Sequence, residues 1–313
     1  MRYHPRIRRH AQHLALTAAV SALAAAGLVV GTTKPALAEF EIQESQIEKG
    51  EVELEYRGAV HWGLPEHGQT GAVGGGEDED VFGAALDEEV SEVPLRQSHD
   101  FEFEMGVTDW WLIAATLGTE QPVGEEFEVT SVELETQFEL IERKDDGIGL
   151  AVQAGYGAAT VNEEANEIEF GPIVELASGP VLLTLNPLFS DQVGEFAETE
   201  SLGFEYGWRG EYDFNKRWGV GVEMFGEIED LANAGSFDEQ NHSIGPTLFL
   251  NLGGDDDDEG EGEEGEANGG DDDGDAKVSG PAPSEVSMNI GLQFGLTEVT
   301  SDVALKFQGS LGF

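Results

Sequence analysis

The sequence predicts an all-β protein, an antiparallel up-and-down transmembrane β-barrel of about 12 strands. Three observations support this fold class. Apolar and polar residues alternate with a period of two in one segment after another, which is typical of strands with one apolar face. Short and long connections alternate between these segments. Beyond residue 38 no apolar stretch approaches about 18 residues, so a closed barrel is the expected way for this chain to cross a bilayer.

The start of the chain has the organisation of an export signal. Four arginines among the first ten residues precede the apolar run LALTAAVSALAAAGLVV, and the small-residue site Ala36-Leu37-Ala38 follows it. This order predicts a signal peptide over residues 1–38, cleaved during export through the inner membrane, and a mature chain of residues 39–313. A short transmembrane anchor is the alternative, but the run is rich in alanine and ends in small residues.

The composition is strongly acidic, with 64 acidic and 15 basic residues and a formal charge of −49. Residues 1–38 hold five basic residues and no acidic one, so the mature chain is five units more negative, at −54. The mature chain has no cluster of Lys and Arg beside aromatic residues, which argues against a nucleic-acid partner. Cysteine is absent, so the exported domain is not a disulfide scaffold. Such a charge favours cations as partners, or simply serves solubility in a salty medium.

The first strand segments separate charged side chains cleanly from apolar ones. EVELEYRGAV, DFEFEMGV and SVELETQFELIE each carry apolar residues on one face and charged residues on the other. A helical period would scatter the carboxylates around the circumference, so strands are the consistent interpretation. If the apolar face meets lipid, the other face lines the lumen. The residues predicted to face the lumen and to favour cations are Glu51, Glu53, Glu55, Arg57, Glu102, Glu104, Glu133, Glu135 and Glu139.

Further strand segments follow in the order WLIAATLGT, GIGLAVQAGYGA, NEIEFGPIVELA, PVLLTLNPLFS, ESLGFEYGWRGEYDF, WGVGVEMFGEI, HSIGPTLFLNL and EVSMNIGLQFGL. Many of the 42 glycines lie inside them, where a barrel has use for glycine at bends and at crowded backbones. Aromatic residues gather near strand ends, as expected of interfacial girdles. The residues concerned are Trp110, Trp111, Trp208, Phe214, Trp218 and Phe225.

The connections carry a second signal. Tight turns follow the even-numbered strands (TD, KDDG, SG and NKR), and longer loops follow the odd-numbered ones, beginning with a long acidic loop over residues 61–98. This is the arrangement of outer-membrane barrels with both termini on the periplasmic side. The acidic insert over residues 253–284 breaks the rule, because it is long and follows an even-numbered strand. Either the strand count is off by one, or the barrel carries an unusual periplasmic insert.

The composition of the acidic insert predicts a disordered segment. It consists largely of Gly, Asp and Glu and has almost no apolar side chain that could be buried. Weak binding of divalent cations is the alternative function, but its carboxylates do not follow the spacing of an EF-hand loop or of a calcium-binding repeat.

The closing segment DVALKFQGSLGF alternates to its last residue. We expect Phe307, Leu311 and Phe313 to form the recognition signal that the barrel assembly machinery reads. A soluble β-sandwich whose final strand ends on Phe is the alternative, but a sandwich does not require the alternation of loop lengths.

Two hairpins carry a family resemblance. GVTDWW (residues 106–111) and FGLTEVTSDVALKFQGSLGF (residues 294–313) resemble hairpins of the outer-membrane transporters grouped under the phenol meta-degradation pathway. The resemblance covers about a tenth of the chain and implies a transport-type barrel. The acidic insert and the excess of glutamate depart from it.

An enzymatic function is not expected. The mature chain has four histidines, His61, His67, His99 and His242. In the sequence NHS, His242 and Ser243 are adjacent on a strand and therefore point to opposite faces, so His242 could not easily activate the hydroxyl. His61 and His67 share a loop but lack further ligands of recognisable spacing, so neither a metal site nor a cofactor is predicted.

The predicted function is that of an outer-membrane barrel acting as a passive channel or transporter for small solutes, with a preference for cations. Its expected partners are outer-membrane lipid, the barrel assembly machinery, and small solutes or cations. The alternative is a non-transporting structural or adhesin-like barrel that contacts an external partner through the long first loop.

Overall fold

The computed structural model describes residues 40–63, 95–161, 164–197, 202–253 and 285–313, which form one closed barrel of twelve antiparallel strands. The predicted fold class and strand number are confirmed. The predicted signal peptide, most of the loop over residues 61–98 and nearly all of the acidic insert lie outside the described residues. The strands are β1 (Val52–Trp62), β2 (Leu95–Thr108), β3 (Trp111–Pro122), β4 (Glu128–Ile141), β5 (Gly147–Ala159), β6 (Asn166–Ser178), β7 (Val181–Val193), β8 (Gly203–Asn215), β9 (Trp218–Ile228), β10 (Asn241–Gly253), β11 (Glu285–Gly295) and β12 (Val303–Gly312).

Each strand pairs with its neighbours in sequence, and β1 pairs with β12 to close the sheet. Closure continues one residue beyond β12, where the amide of Phe313 donates to the carbonyl of Val52 at 2.9 Å. A closed sheet leaves no unpaired strand edge, which is the condition for a β-structure to lie in lipid.

The two faces of the barrel wall are inverted relative to a water-soluble protein. Large apolar side chains lie on the outside, among them Leu134 (59% exposed) and Ile290 (50%), whereas Glu175 and Glu223 are fully buried inside. This is the alternation of a transmembrane barrel, with an apolar outer band and a polar interior. Of the helices in the described ranges, none is long and apolar enough to cross a membrane.

The connections follow the predicted parity except around β4, where the connection before it (residues 123–127) and the one after it (residues 142–146) are equally long. Adjacent strands meet at tight turns after β2, β6 and β8, whereas the connection between β9 and β10 holds two short 3₁₀ helices, Leu231–Asn233 and Phe237–Glu239. The long connection from β10 to β11 begins at the end of the barrel that carries the tight turns, since the amide of Asn251 donates to the carbonyl of Arg217 in the turn before β9. The strand count is therefore not off by one, and the insert is a true exception to the rule.

The aromatic girdle is only partly as predicted. Trp110, Phe214 and Trp218 lie exposed at the end with the tight turns. Girdles were expected to hold only some of the aromatic residues near strand ends, and Phe225 is not one of them, because it lies on the lumenal face of β9, where its ring contacts Phe40. The alternation of β9 explains the difference, since Phe225 shares a face with the fully buried Glu223.

Candidate functional site: an acidic lumen

Strands β1, β2 and β4 place the predicted lumenal residues as follows. The even-numbered residues of β2 and the odd-numbered residues of β1 and β4 point inward, opposite to the exposed Leu54, Phe101 and Leu134. The side chains on this lumenal face are Glu53, Glu55, Arg57, Glu102, Glu104, Glu133, Glu135 and Glu139. Glu51 precedes β1, and its backbone carbonyl accepts a hydrogen bond from Gly106 at the end with the tight turns.

Strand register joins these glutamates to others in two adjacent rows. The lower row, in pairing order from β1 to β6, is Glu53, Glu104, Ala114, Glu135, Gly155 and Glu169. The upper row, closer to the end with the long loops, is Glu55, Glu102, Thr116, Glu133, Gly157 and Glu167. The eight glutamates of the two rows are named the acidic ribbon.

The acidic ribbon climbs the wall of the lumen. Glu53 is the second residue of β1, at the end with the tight turns, and Glu169 is the fourth residue of β6, at the end with the long loops. Strands of a closed barrel are tilted and staggered, so a row of paired residues rises as it runs around the wall. The ribbon therefore links the two ends of the barrel.

Small residues on β3 and β5 keep the acidic ribbon continuous. Ala114 and Thr116 lie between the glutamates of β2 and β4, and Gly155 and Gly157 lie between those of β4 and β6. A side chain at Gly155 would collide with its neighbours, because its Cβ would lie 2.7 Å from Oε1 of Glu133. The space above this glycine is thus occupied by a carboxylate.

Basic side chains balance only a part of this charge. Among the described residues, the buried basic side chains are Arg57, Arg209 and Lys306. The buried acidic ones are Asp100, Glu102, Glu120, Glu133, Glu167, Glu169, Glu175, Glu211 and Glu223. The imbalance leaves the interior strongly negative.

Arg57 is the ionic centre of the middle of the lumen. Its Nη1 lies 2.6 Å from Glu102, 2.7 Å from Glu41 and 2.9 Å from Glu55, and all four side chains are almost fully buried. The other two guanidinium nitrogens have no hydrogen-bond partner among the described residues. A single nitrogen of Arg57 therefore forms ion pairs with three carboxylates.

The two other buried bases are also held by carboxylates. The Lys306 ammonium lies 2.6 Å from Glu223 and 5.2 Å from the ring centre of Phe225. Arg209 pairs with Glu44 at 2.6 Å and with Glu211 at 3.4 Å. Lys306 was not among the predicted lumenal residues, although the alternation of the closing strand puts it opposite the apolar face.

The segment before β1 runs through the interior of the barrel. Residues 40–50, named the lumenal strap, start near the long loops, where the ring of Phe40 lies 5.8 Å from that of His61. They end at the opposite side of the membrane span, where the amide of Gly50 donates to the carbonyl of Gly106 at 2.8 Å. Ile42 and Ile47 are buried, so the strap packs against the wall over most of its length.

Polar contacts hold the strap to several strands. The amide of Gln43 donates to Asn186 of β7 at 2.6 Å, and the side-chain amide of Asn186 donates back to the Gln43 carbonyl at 3.1 Å. The amide of Ser45 donates to Glu175 of β6 at 3.2 Å. Together with the ion pairs to β1 and β8, these contacts place the strap across the lumen and narrow it. Sequence reasoning had assigned this segment no role.

The histidines do not converge on a site. His242 lies against the ring of Phe237 on the outer face, with ring centres 4.4 Å apart, whereas Ser243 faces the lumen. Nδ1 of His99 lies 2.7 Å from the hydroxyl of Tyr56 on the outer wall. His67 lies outside the described residues.

The residues expected to signal assembly lie on the outer face of the seam between β12 and β1. Phe307 packs against Tyr56, with ring centres 5.6 Å apart, while Leu311 and Phe313 are partly exposed. Their role in assembly stays a prediction.

Comparison with solved structures finds outer-membrane proteins. Omp33 of Acinetobacter baumannii aligns over 85% of this chain and 99% of its own, with 7% identity and a TM-score of 0.40. A bacterial polysaccharide outer membrane secretin aligns over 87% of this chain and 99% of its own, with 6% identity and a TM-score of 0.36. OprD of Pseudomonas aeruginosa aligns over 70% of this chain and 61% of its own, with 8% identity and a TM-score of 0.33.

Structural similarities this weak do not indicate a function for this chain. No protein-family model matches the chain, so the family resemblance of its two hairpins stays a prediction. No curated protein matches it in sequence.

Proposed function

We propose that this protein is a passive channel of the outer membrane for small solutes and that it prefers cations. The closed barrel with an apolar exterior supports the membrane location, and the predicted signal peptide supports export to the outer membrane. The acidic ribbon is the observation that carries the proposal, because it runs along the inner wall between the two ends of the barrel.

The ribbon favours cations for an electrostatic reason. Like charges at strand spacing repel one another, and they are stabilised by mobile counterions when fixed bases are too few. A narrow lumen with low-dielectric walls concentrates ions of the opposite sign. Anions meet the same field as a barrier.

The lumenal strap restricts the solutes to small ones. It crosses the interior and is held by contacts to β1, β6, β7 and β8. The strap and the side chains on the wall fill part of the area that the barrel encloses. Only the remaining area beside the ribbon is open to solutes. Hydrated inorganic ions are the solutes that suit such a path.

A flux assay tests the proposal. Proteoliposomes with the same KCl concentration inside and outside are expected to exchange labelled K⁺ faster than labelled Cl⁻. The triple variant Glu53→Gln, Glu104→Gln and Glu135→Gln removes three ribbon charges for which the described residues show no ion pair. We expect it to lower the ratio of K⁺ to Cl⁻ flux while the barrel still folds.

The matched control neutralises three acidic residues on exposed loops, Glu125→Gln, Glu126→Gln and Glu298→Gln. It removes the same net charge from the protein and is expected to leave the flux ratio unchanged. Equal ratios in the wild type and in the triple variant would contradict the role of the ribbon. Absence of any ion flux would contradict the channel itself.

The adhesin-like alternative depends on the loop over residues 61–98, most of which lies outside the described residues. No described contact favours it over transport. A barrel that served only as a platform for this loop would have no use for a continuous row of buried carboxylates.

A further inference from the structure

The acidic ribbon ends near the long loops in a compact group of carboxylates. Glu167 and Glu169 of β6 and Glu205 of β8 each place one carboxylate oxygen so that all three lie within 4.8 Å of one another. Glu167 is 9% exposed and Glu169 is 6% exposed. These three residues are named the carboxylate cluster.

Two buried carboxylate oxygens, one on β6 and one on β4, lack a protein partner. Oε1 of Glu169 is buried and accepts no hydrogen bond from the described residues, and the same holds for Oε1 of Glu133, which is not a member of the cluster. The buried bases do not supply this partner, because Arg57, Arg209 and Lys306 pair with other carboxylates. A buried charge without a partner is costly, and such groups commonly coordinate a metal or take up a proton.

Glycine on β5 directs the Glu133 carboxylate toward the cluster. Gly155 is the register partner of Glu169, and the place of its absent side chain is within 2.7 Å of Oε1 of Glu133. Since Glu133 leans over Gly155, its free oxygen lies on the side of Glu169. Four carboxylates therefore share one corner of the lumen.

We propose that the carboxylate cluster binds one divalent cation, with Ca²⁺ preferred over Mg²⁺, and that Glu133 adds a fourth negative charge. Ca²⁺ binds oxygen ligands at about 2.3–2.6 Å, so two oxygens on one ion are separated by at most about 5.2 Å. The spacing in the cluster satisfies this limit without a change in the backbone. Mg²⁺ would need oxygens within about 4.2 Å and a regular octahedron.

The inference goes beyond the proposed channel and does not require the barrel to conduct. Ca²⁺ binding is therefore measured by calorimetry and by thermal unfolding of the full-length protein in detergent, with EDTA as the metal-free reference. The acidic insert binds some Ca²⁺ in any variant of the lumen, so the comparison is made between variants that keep it unchanged.

Two cluster variants, Glu169→Gln and Glu205→Gln, are compared with Glu211→Gln. Glu211 lies on the lumenal face of β8, as Glu205 does, but near the opposite end of that strand. We expect each cluster variant to weaken the calcium affinity of the lumenal site by at least about tenfold, since each replaces a charged carboxylate ligand with a neutral amide and so lowers the charge of the site. Glu211→Gln should leave that affinity unchanged.

Thermal stability gives a second readout, because the cluster substitutions are expected to act on it differently in EDTA and in Ca²⁺. In EDTA, removal of one of several mutually repelling charges should leave the barrel as stable as the wild type or more stable. In millimolar Ca²⁺, the wild type and Glu211→Gln should gain thermal stability, and the cluster variants should lose that gain. If Glu169→Gln does not fold, the half-buried Glu205→Gln decides the question by itself.

Three results would overturn the proposal. The first is a wild-type barrel that Ca²⁺ does not stabilise beyond the effect of Na⁺ at equal ionic strength. The second is a calcium effect that the cluster variants retain in full. The third is equal stabilisation by Mg²⁺ and Ca²⁺, which would leave only unspecific attraction to the acidic wall.

Discussion

Arg57 shows how a single residue organises the lumen. Its Nη1 approaches Glu41, Glu55 and Glu102 within 2.9 Å, and the side chain is almost fully buried. Removal of the base leaves three buried carboxylates facing one another. Breaking a buried ion pair on one side costs more than the pair contributes, because the remaining charge is uncompensated.

We therefore expect Arg57→Met to destabilise the barrel by about 3–5 kcal/mol. Arg57→Lys should restore most of this, because only one guanidinium nitrogen carries the contacts and an ammonium group can replace it. Urea unfolding of the refolded barrels measures both variants. Equal loss of stability in Arg57→Met and Arg57→Lys would show that the shape of the guanidinium, and not its charge, is needed.

At the scale of elements, the lumenal strap fills part of the barrel interior and, in the proposed channel, limits its opening. Glu44 anchors it to Arg209 at 2.6 Å. The Arg209 side chain is 7% exposed and the Glu44 side chain 52% exposed, so a buried guanidinium holds the strap against β8 through a carboxylate that keeps contact with solvent.

Reversal of this charge should release the strap. Glu44→Lys places an ammonium against the Arg209 guanidinium, and we expect the single-channel conductance at pH 7 to rise while the preference for cations remains. Glu48→Lys is the matched control, because Glu48 belongs to the same segment and is also exposed but, unlike Glu44, forms no ion pair among the described residues. A conductance of Glu44→Lys equal to that of the wild type and the control would show that the strap does not limit the flow of ions.

The sequence predicts single elements better than relations between them. Period-two alternation found the inward face of β1, β2 and β4, and the parity of the loops anticipated where the acidic insert leaves the barrel. The same alternation in NEIEF places Glu167 and Glu169 on one face, although neither is among the residues predicted to face the lumen. The acidic ribbon depends on register, which β-bulges shift, as between Gly118 and Thr119, and which alternation does not encode.

The lumenal strap was missed for a different reason. Residues 40–50 have neither the alternation of a strand nor the period of a helix, so no local pattern marks them. Their place is fixed by distant partners, such as Asn186 for Gln43 and Glu175 for Ser45. Such contacts become visible only when the barrel is closed.

At the scale of the whole molecule, the proposed channel is an acidic passage that selects cations over anions by electrostatics. Salt should therefore weaken it, because the Debye length shortens from about 8 Å at physiological ionic strength to about 3 Å at 1 M. The ratio of K⁺ to Cl⁻ permeability should fall steadily over this range. A ratio independent of salt would point to selection by size instead.

The sign of the reversal potential tests the central claim most directly. Purified wild-type barrel in a planar bilayer is placed between dilute and concentrated KCl at pH 7, and the voltage at zero current is measured. We expect the zero-current voltage to have the sign set by the K⁺ gradient. In the triple variant Glu53→Gln, Glu104→Gln and Glu135→Gln, this voltage should shift toward zero. A potential of the sign set by the Cl⁻ gradient would contradict a cation-preferring lumen.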